Sequence, residues 1–233
     1  MVQLQAEIVE GPLDHPLFGR CVVIRPTVET TRANRHPSQA VVVTTAARRL
    51  IELSKGGEKL PRVVVEGDKD PTTHPDFLQI SEQLRELTNK WFPKAKLTLH
   101  SLNADLSRPE VRHALNSYDT PILVLGAGTR KTLSKLSGES GESFKARIEN
   151  MRRVESERLI VRSSFVRGTT DNSTDSEVRA WLRNLTGIRP AAIQITTLAR
   201  AGGGQKPVTK TRMAQIAELA QEKTGVQVEV LEQ

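Results

Sequence analysis

Gly67-Asp68-Lys69-Asp70-Pro71-Thr72-Thr73-His74-Pro75-Asp76 decides how this chain reads. Before it runs a short β-branched stretch, Val63-Val64-Val65. After it, Phe77, Ile80, Leu84 and Leu87 recur at helical spacing. A buried strand, a polar turn holding two prolines, and an amphipathic helix make one strand–loop–helix step. The turn then sits at the carboxyl end of its strand, where α/β folds hold ligands.

The same step repeats outward in both directions. Toward the N-terminus, Cys21 to Ile24 predicts a first strand. Ser38 to Leu53 predicts a helix capped by Ser38 and stopped by Gly56-Gly57, although its β-branched run Val41–Thr45 opposes helix formation. Arg62 to Glu66 is the second strand and Asp76 to Asn89 the second helix. Toward the C-terminus, strands are expected at Lys96–His100, Pro121–Leu125, Leu159–Phe165, Ile193–Leu198 and Val226–Leu231. Helices are expected at Pro109–Leu115, Ser143–Val154, Asp175–Leu185 and Thr209–Lys223, with a helical turn or two over Thr129–Leu136. Thr174 with Glu177 has the spacing of a capping box.

Alternating strands and helices imply right-handed βαβ units and a parallel sheet. Six units suit a partial (β/α)6 TIM-like barrel, an α/β fold, better than a closed eightfold one. Residues 1–17 read as an N-terminal extension and 18–233 as a single barrel domain.

The 233 residues include one cysteine, Cys21, which excludes an internal disulfide framework and a cysteine-ligated metal site within the chain. The start lacks a secretory pattern and no long apolar span occurs, so a cytoplasmic protein without membrane contact is expected. The formal charge of +7 fits solvated helix faces or attraction to nucleic acid or an acidic protein, but no nucleic-acid module supports the second reading.

Taken together, the loops resemble those of radical SAM enzymes, which cleave S-adenosylmethionine (SAM) with a four-iron four-sulfur cluster. The resemblance runs over residues 16–231. It rests on Gly67–Pro75, Leu106-Ser107-Arg108-Pro109-Glu110-Val111-Arg112, Ala127-Gly128-Thr129, Phe165-Val166-Arg167-Gly168 with Asp171–Asp175, and Ile193–Leu198. In that family a Cys-x-x-x-Cys-x-x-Cys loop follows strand one. Here the region reads Arg25-Pro26-Thr27-Val28-Glu29-Thr30-Thr31-Arg32-Ala33-Asn34-Arg35-His36-Pro37, with no cysteine. The acid that receives the SAM amino group in the family corresponds to Asp70, one methylene shorter. Lys69 replaces a glycine, and a family acid near strand six corresponds to Ala199.

The resemblance therefore implies a degenerate, cluster-free homologue. It would be a pseudoenzyme or a repurposed subunit acting through a protein partner or as a homo-oligomer. No cofactor is expected, apart from SAM or another small anionic ligand bound without a cluster. Two alternatives stand beside this one. A metal-free enzyme or ligand binder could use the old SAM pocket, or a partner chain could supply the cluster.

The candidate ligand residues are Lys69, Asp70, Thr72 and His74 on one loop and Arg167, Asp171 and Asn172 on another. Each has a structural alternative. Thr72 and His74 could orient the following helix, and Asp171 and Asn172 could form an Asx-turn and cap cluster. Arg32 and Arg35 could join Lys69 in a cationic mouth. Gly202-Gly203-Gly204 reads as a flexible rim loop. Arg152, Arg153, Arg158 and Arg162 read as surface partners of Glu149, Glu155 and Glu157.

Overall fold

The computed structural model describes residues 8–28, 36–137 and 144–231. Arg32 and Arg35 lie outside them. The chain forms two compact units, Met1–Ile122 and Leu123–Gln233, and parallel strand pairing dominates in each.

The first unit holds β1 (Val9–His15), β2 (Gly19–Ile24), β3 (Arg62–Val65) and β4 (Lys96–Ser101). Strands β2, β3 and β4 are parallel, with Ile24 beside Val65 and Val65 beside Leu99. Helix α1 (Gln39–Lys55) links β2 to β3, and α2 (Phe77–Trp91) links β3 to β4. Because the strands add in one direction, right-handed crossovers put both helices on one sheet face. That face carries Val22, Ile24, Val63, Val65, Leu97 and Leu99, all fully buried. Helix α1 forms despite its β-branched start, because Val42, Thr45, Ala46 and Leu50 make a buried stripe and packing outweighs propensity. Gly56 caps it as expected. Helix α2 buries Phe77, Ile80, Ser81, Leu84 and Thr88, and Ser81 shares a hydrogen bond with the buried Tyr118 hydroxyl at 2.8 Å. A short α3 (Pro109–Ala114) follows β4.

Residues 9–15, grouped with the extension in the sequence reading, form β1 antiparallel to β2, with an irregularity between Glu10 and Leu13. The tip of this hairpin returns across the helix-free face. There Leu13 and Phe18 pack against Cys21, Val23 and Val64.

Strand β5 (Thr120–Val124) carries the division between the units. The second unit holds α4 (Arg130–Ser137), α5 (Phe144–Arg152), β6 (Ile160–Gly168), α6 (Asp175–Ile188), β7 (Ala192–Thr197), β8 (Gln205–Pro207), α7 (Lys210–Thr224) and β9 (Val228–Val230). Six strand–helix steps thus follow one another from β2 to α7. Strands β6, β7 and β9 are parallel, and β8 pairs antiparallel with β6.

The glycine run contains a tight turn. Gly202 and Gln205 exchange backbone hydrogen bonds at 2.9 Å, closing a two-residue turn at Gly203-Gly204 with both φ positive. Helix α6 anchors the unit through Trp181, whose indole N–H donates to Ser163 Oγ at 2.8 Å and whose ring meets Phe165 edge-on. The capping box is half made. Thr174 accepts from the Glu177 N–H, but the Glu177 carboxylate turns instead to Thr129, Thr132 and the Gly128 N–H. Arg162 also departs from the surface-pair reading. It is 4% exposed and donates to Gln194, while Arg152 and Arg153 do pair with Glu149.

Candidate functional site

Each sequence-selected residue is placed by the loop that carries it. Asp70 begins the short 3-10 turn Pro71–Thr73. Its Oδ1 accepts from the Thr72 N–H at 3.1 Å and the Thr72 hydroxyl at 2.6 Å. Its Oδ2 accepts from the Ser101 hydroxyl at 2.7 Å and the Asn103 N–H at 2.8 Å. A carboxylate offers roughly four lone-pair sites, and here the chain fills them. Thr72, wholly buried, also accepts from the Asp105 N–H at 2.9 Å. The Lys69 carbonyl accepts from Thr27 Oγ1. Arg108 donates to the carbonyls of His74 and Pro75 and to Glu110. These bonds fasten the loop after β3 to the segments that follow β2 and β4.

His74 is 1% exposed. Nε2 faces the Pro37 carbonyl at 2.8 Å and Nδ1 accepts from the Asp76 N–H at 3.0 Å. The proton therefore rests on Nε2, and neither nitrogen is left for a substrate. Burial pulls the ring below its ordinary value of 6.5, against the opposing pull of the Pro37 carbonyl and Asp76. Below about pH 6.5 the unfolded ring takes up a proton before the folded one does, so stability falls as pH drops. The fall stops beneath the lowered folded value. Denaturant midpoints measured from pH 7.5 down to 5 should decline, and His74→Gln should flatten part of that slope. Equal slopes in both proteins would contradict the assignment.

In the second unit Arg167 lies on β6 opposite Lys206 of β8 and donates to the Pro207 carbonyl at 2.8 Å. Asp171 accepts from the N–H and hydroxyl of Ser173, the Asx-turn arrangement. Asn172 is 3% exposed. It accepts from the Val166 N–H at 2.7 Å and donates to the carbonyls of Ser164 and Gly126. The predicted candidates thus form two groups, one in each unit, and the side chains of Asp70, Thr72, His74, Arg167, Asp171 and Asn172 bond to the chain around them.

A row of residues that sequence reasoning passed over stands at the carboxyl ends of β2, β3 and β4. Extending the strand registers by one places Arg25, Glu66 and His100 side by side on the helix-free face. Glu66 bridges two imidazoles, with His15 Nε2 at 3.2 Å from one oxygen and His100 Nδ1 at 3.1 Å from the other. Phe18 stacks on His15 with centroids 4.9 Å apart and meets the His100 ring edge-on at 5.4 Å. Arg62 lies over Phe18 at 5.9 Å. Burial raises the Glu66 carboxyl, but the His100 hydrogen bond and the His15, His100 and Arg25 charges outweigh it and hold the group below the ordinary carboxylate range. A signal was present in the sequence, since each of these apolar strands ends on a charged or ionisable residue.

Neither the cluster of the radical SAM enzymes, which the sequence already argues against, nor a SAM amino group finds ligands among these residues. Cys21 is fully buried within β2, and burial is the main force pushing its thiol up to about 11. A protonated lone thiol in an apolar strand does not supply the thiolates that hold an iron–sulfur cluster. No group of three or more His, Cys, Asp or Glu among the described residues is placed to hold a metal ion. Asp70 has no free oxygen site for an ammonium. The residues present therefore do not fit the cluster.

Neither a protein-family model nor a curated protein matches the sequence. Solved structures do match the fold. A radical SAM methyltransferase from Sphaerobacter thermophilus superposes with a TM-score of 0.63 at 13% identity, over 91% of this chain and 65% of that one. SuiB of Streptococcus suis, in a structure bound to S-adenosylmethionine, gives 0.61 at 14% identity, over 94% of this chain and 51% of that one. A domain of pyruvate-formate lyase-activating enzyme from Bacteroides vulgatus gives 0.53 at 14% identity, over 73% of this chain and 98% of that one. The chain thus spans just under two thirds of the methyltransferase and about half of SuiB. Among the described residues no helix is long and apolar enough to cross a membrane. The protein is an α/β chain of mostly parallel strands with the fold of radical SAM structures, and it carries a single cysteine.

Proposed function

We propose that this protein is a cluster-free homologue of the radical SAM enzymes that acts by binding rather than by radical chemistry, as a subunit or regulator in an assembly. The observation that carries this reading is Cys21, the one thiol of the chain, buried and protonated within a strand. Reductive cleavage of SAM needs an iron cluster, and clusters are held by several thiolates. The saturated Asp70 carboxylate supports the same reading, because the group equivalent to the family's amine anchor is spent on loop closure. A fold outlasts the loss of its site because core packing does not depend on the site.

Incubation with iron, sulfide, dithionite and SAM under anaerobic conditions tests it. Chromatography should show no 5′-deoxyadenosine above the protein-free control. Protein-dependent 5′-deoxyadenosine would overturn the reading.

A further inference from the structure

We propose that the outer edge of β9 takes an extended peptide of a partner protein as an added strand, one that carries a large apolar residue close to an acidic one. This gives the binding role argued above its surface, and it rests on that reading. In a strand the N–H and C=O of one residue point to one side, and those of its neighbours to the other. The Gln227 carbonyl accepts from the Ile193 N–H at 3.0 Å, and the Leu231 N–H donates to the Ile195 carbonyl at 2.8 Å. Residues 227, 229 and 231 therefore face β7, and the backbone groups of Val228 and Val230 face outward. Among the described residues no other strand pairs with β9, and Val230 is 43% exposed.

Proteins blunt such edges with proline, a bulge or charge. Strand β1, at the edge of the first unit, has Pro12 and a break in register. Strand β9 has neither, and pairs with β7 in step from Val228 to Val230. Its one charged residue, Glu229, accepts from the Gln194 side chain at 2.8 Å, on the sheet face opposite the two valines. Beside the edge lies a cavity of about 540 Å³, walled by Leu198, Val208, Met213, Val230 and Leu231. That volume lies in the range of ligand pockets. A peptide residue paired with Val230 sets its side chain on the same face as Val230, and so at this cavity. Lys210 is the charged residue of the lining, and the first turn of α7 holds no acid, which favours an acidic neighbour on the peptide. Main-chain pairing then supplies affinity and the cavity selects the side chain. A second copy fits less well, because antiparallel pairing centred on β9 would set Glu229 against its own counterpart.

The probe is fluorescein-labelled Asp-Val-Phe-Val-Asp, with binding read by anisotropy and protein amides by nitrogen NMR. Binding should saturate, and the Val228 and Val230 amides should shift and exchange more slowly with solvent. Changing the peptide's Phe to Ala should weaken binding about tenfold, as should Ala214→Trp, which fills the cavity from an exposed position. Val228→Pro removes an outward N–H without touching the ladder to β7 and should weaken binding about fivefold. Exchanging both peptide acids for Lys should weaken it about threefold. No saturable binding, amide shifts confined to other strands, or equal binding by the Ala-containing peptide would overturn the proposal. So would a concentration-dependent dimer that protects Val228 and Val230 without peptide, since a second copy would then hold the edge. None of these readings involves iron or SAM, so they fail separately from the cluster-free reading, which only 5′-deoxyadenosine formation overturns.

Discussion

Replacing Asp70 by alanine should lower stability by about 3 kcal/mol, seen as a fall in the urea midpoint with little change in slope. The carboxylate accepts four hydrogen bonds. Two come from backbone N–H groups, at Thr72 and Asn103, which cannot turn elsewhere without reshaping their loops. Removing the acceptor leaves these donors to find water or stay unpaired, at about 1–3 kcal/mol for a buried one. Asp70→Asn should cost roughly half as much, because its amide nitrogen cannot accept and only one of the two donor pairs survives. The direction separates two roles. A carboxylate held ready for a ligand is strained by its fold, so its removal changes stability little or improves it. A loss below about 1 kcal/mol would therefore return Asp70 to the list of ligand groups.

Gly128→Ala should be of similar size, about 3 kcal/mol. A Cβ at Gly128 would lie 2.3 Å from the Glu177 carbonyl oxygen and 2.5 Å from the Trp181 nitrogen, both main-chain atoms of α6. Neither can rotate away, so the helix itself must move. Its movement would break the Glu177 bonds to Thr129 and Thr132 and the Asn184 bond to the Gly128 carbonyl. It would also loosen Trp181 from Ser163. Thermal unfolding of the variant should show a large drop in midpoint. An unchanged midpoint would mean that α6 does not sit against this turn.

The strand–helix alternation was legible because hydrophobic period and turn residues report locally on each element. Arg62–Val65 and its following helix came out within a residue or two of the sequence reading. Strand β1 was hidden because Gly11-Pro12 interrupts it, and a proline inside a run argues against a strand. Strand β8 has only three residues and follows a glycine run, so it carries too little pattern to notice. The capping box failed for a different reason: Glu177 finds three donors more than 40 residues away in sequence, and local spacing cannot register them.

The candidate site shows the same limit. The sequence could mark Asp70, His74 and Asn172 as polar residues at strand ends. Whether such a group faces a ligand or the chain depends on partners such as Ser101, Pro37 and Gly126, which only the closed fold brings near. Glu66 and His100 were passed over because each looked like the last residue of a strand. Their meeting depends on the register between β3 and β4, and a single sequence does not contain that register.

Iron and sulfide content after anaerobic reconstitution tests the central claim most directly. The account predicts that the desalted protein carries no more iron than a thiol-blocked control and shows no visible charge-transfer absorbance. About four iron and four sulfide per chain, the content of a [4Fe–4S] centre, would contradict it.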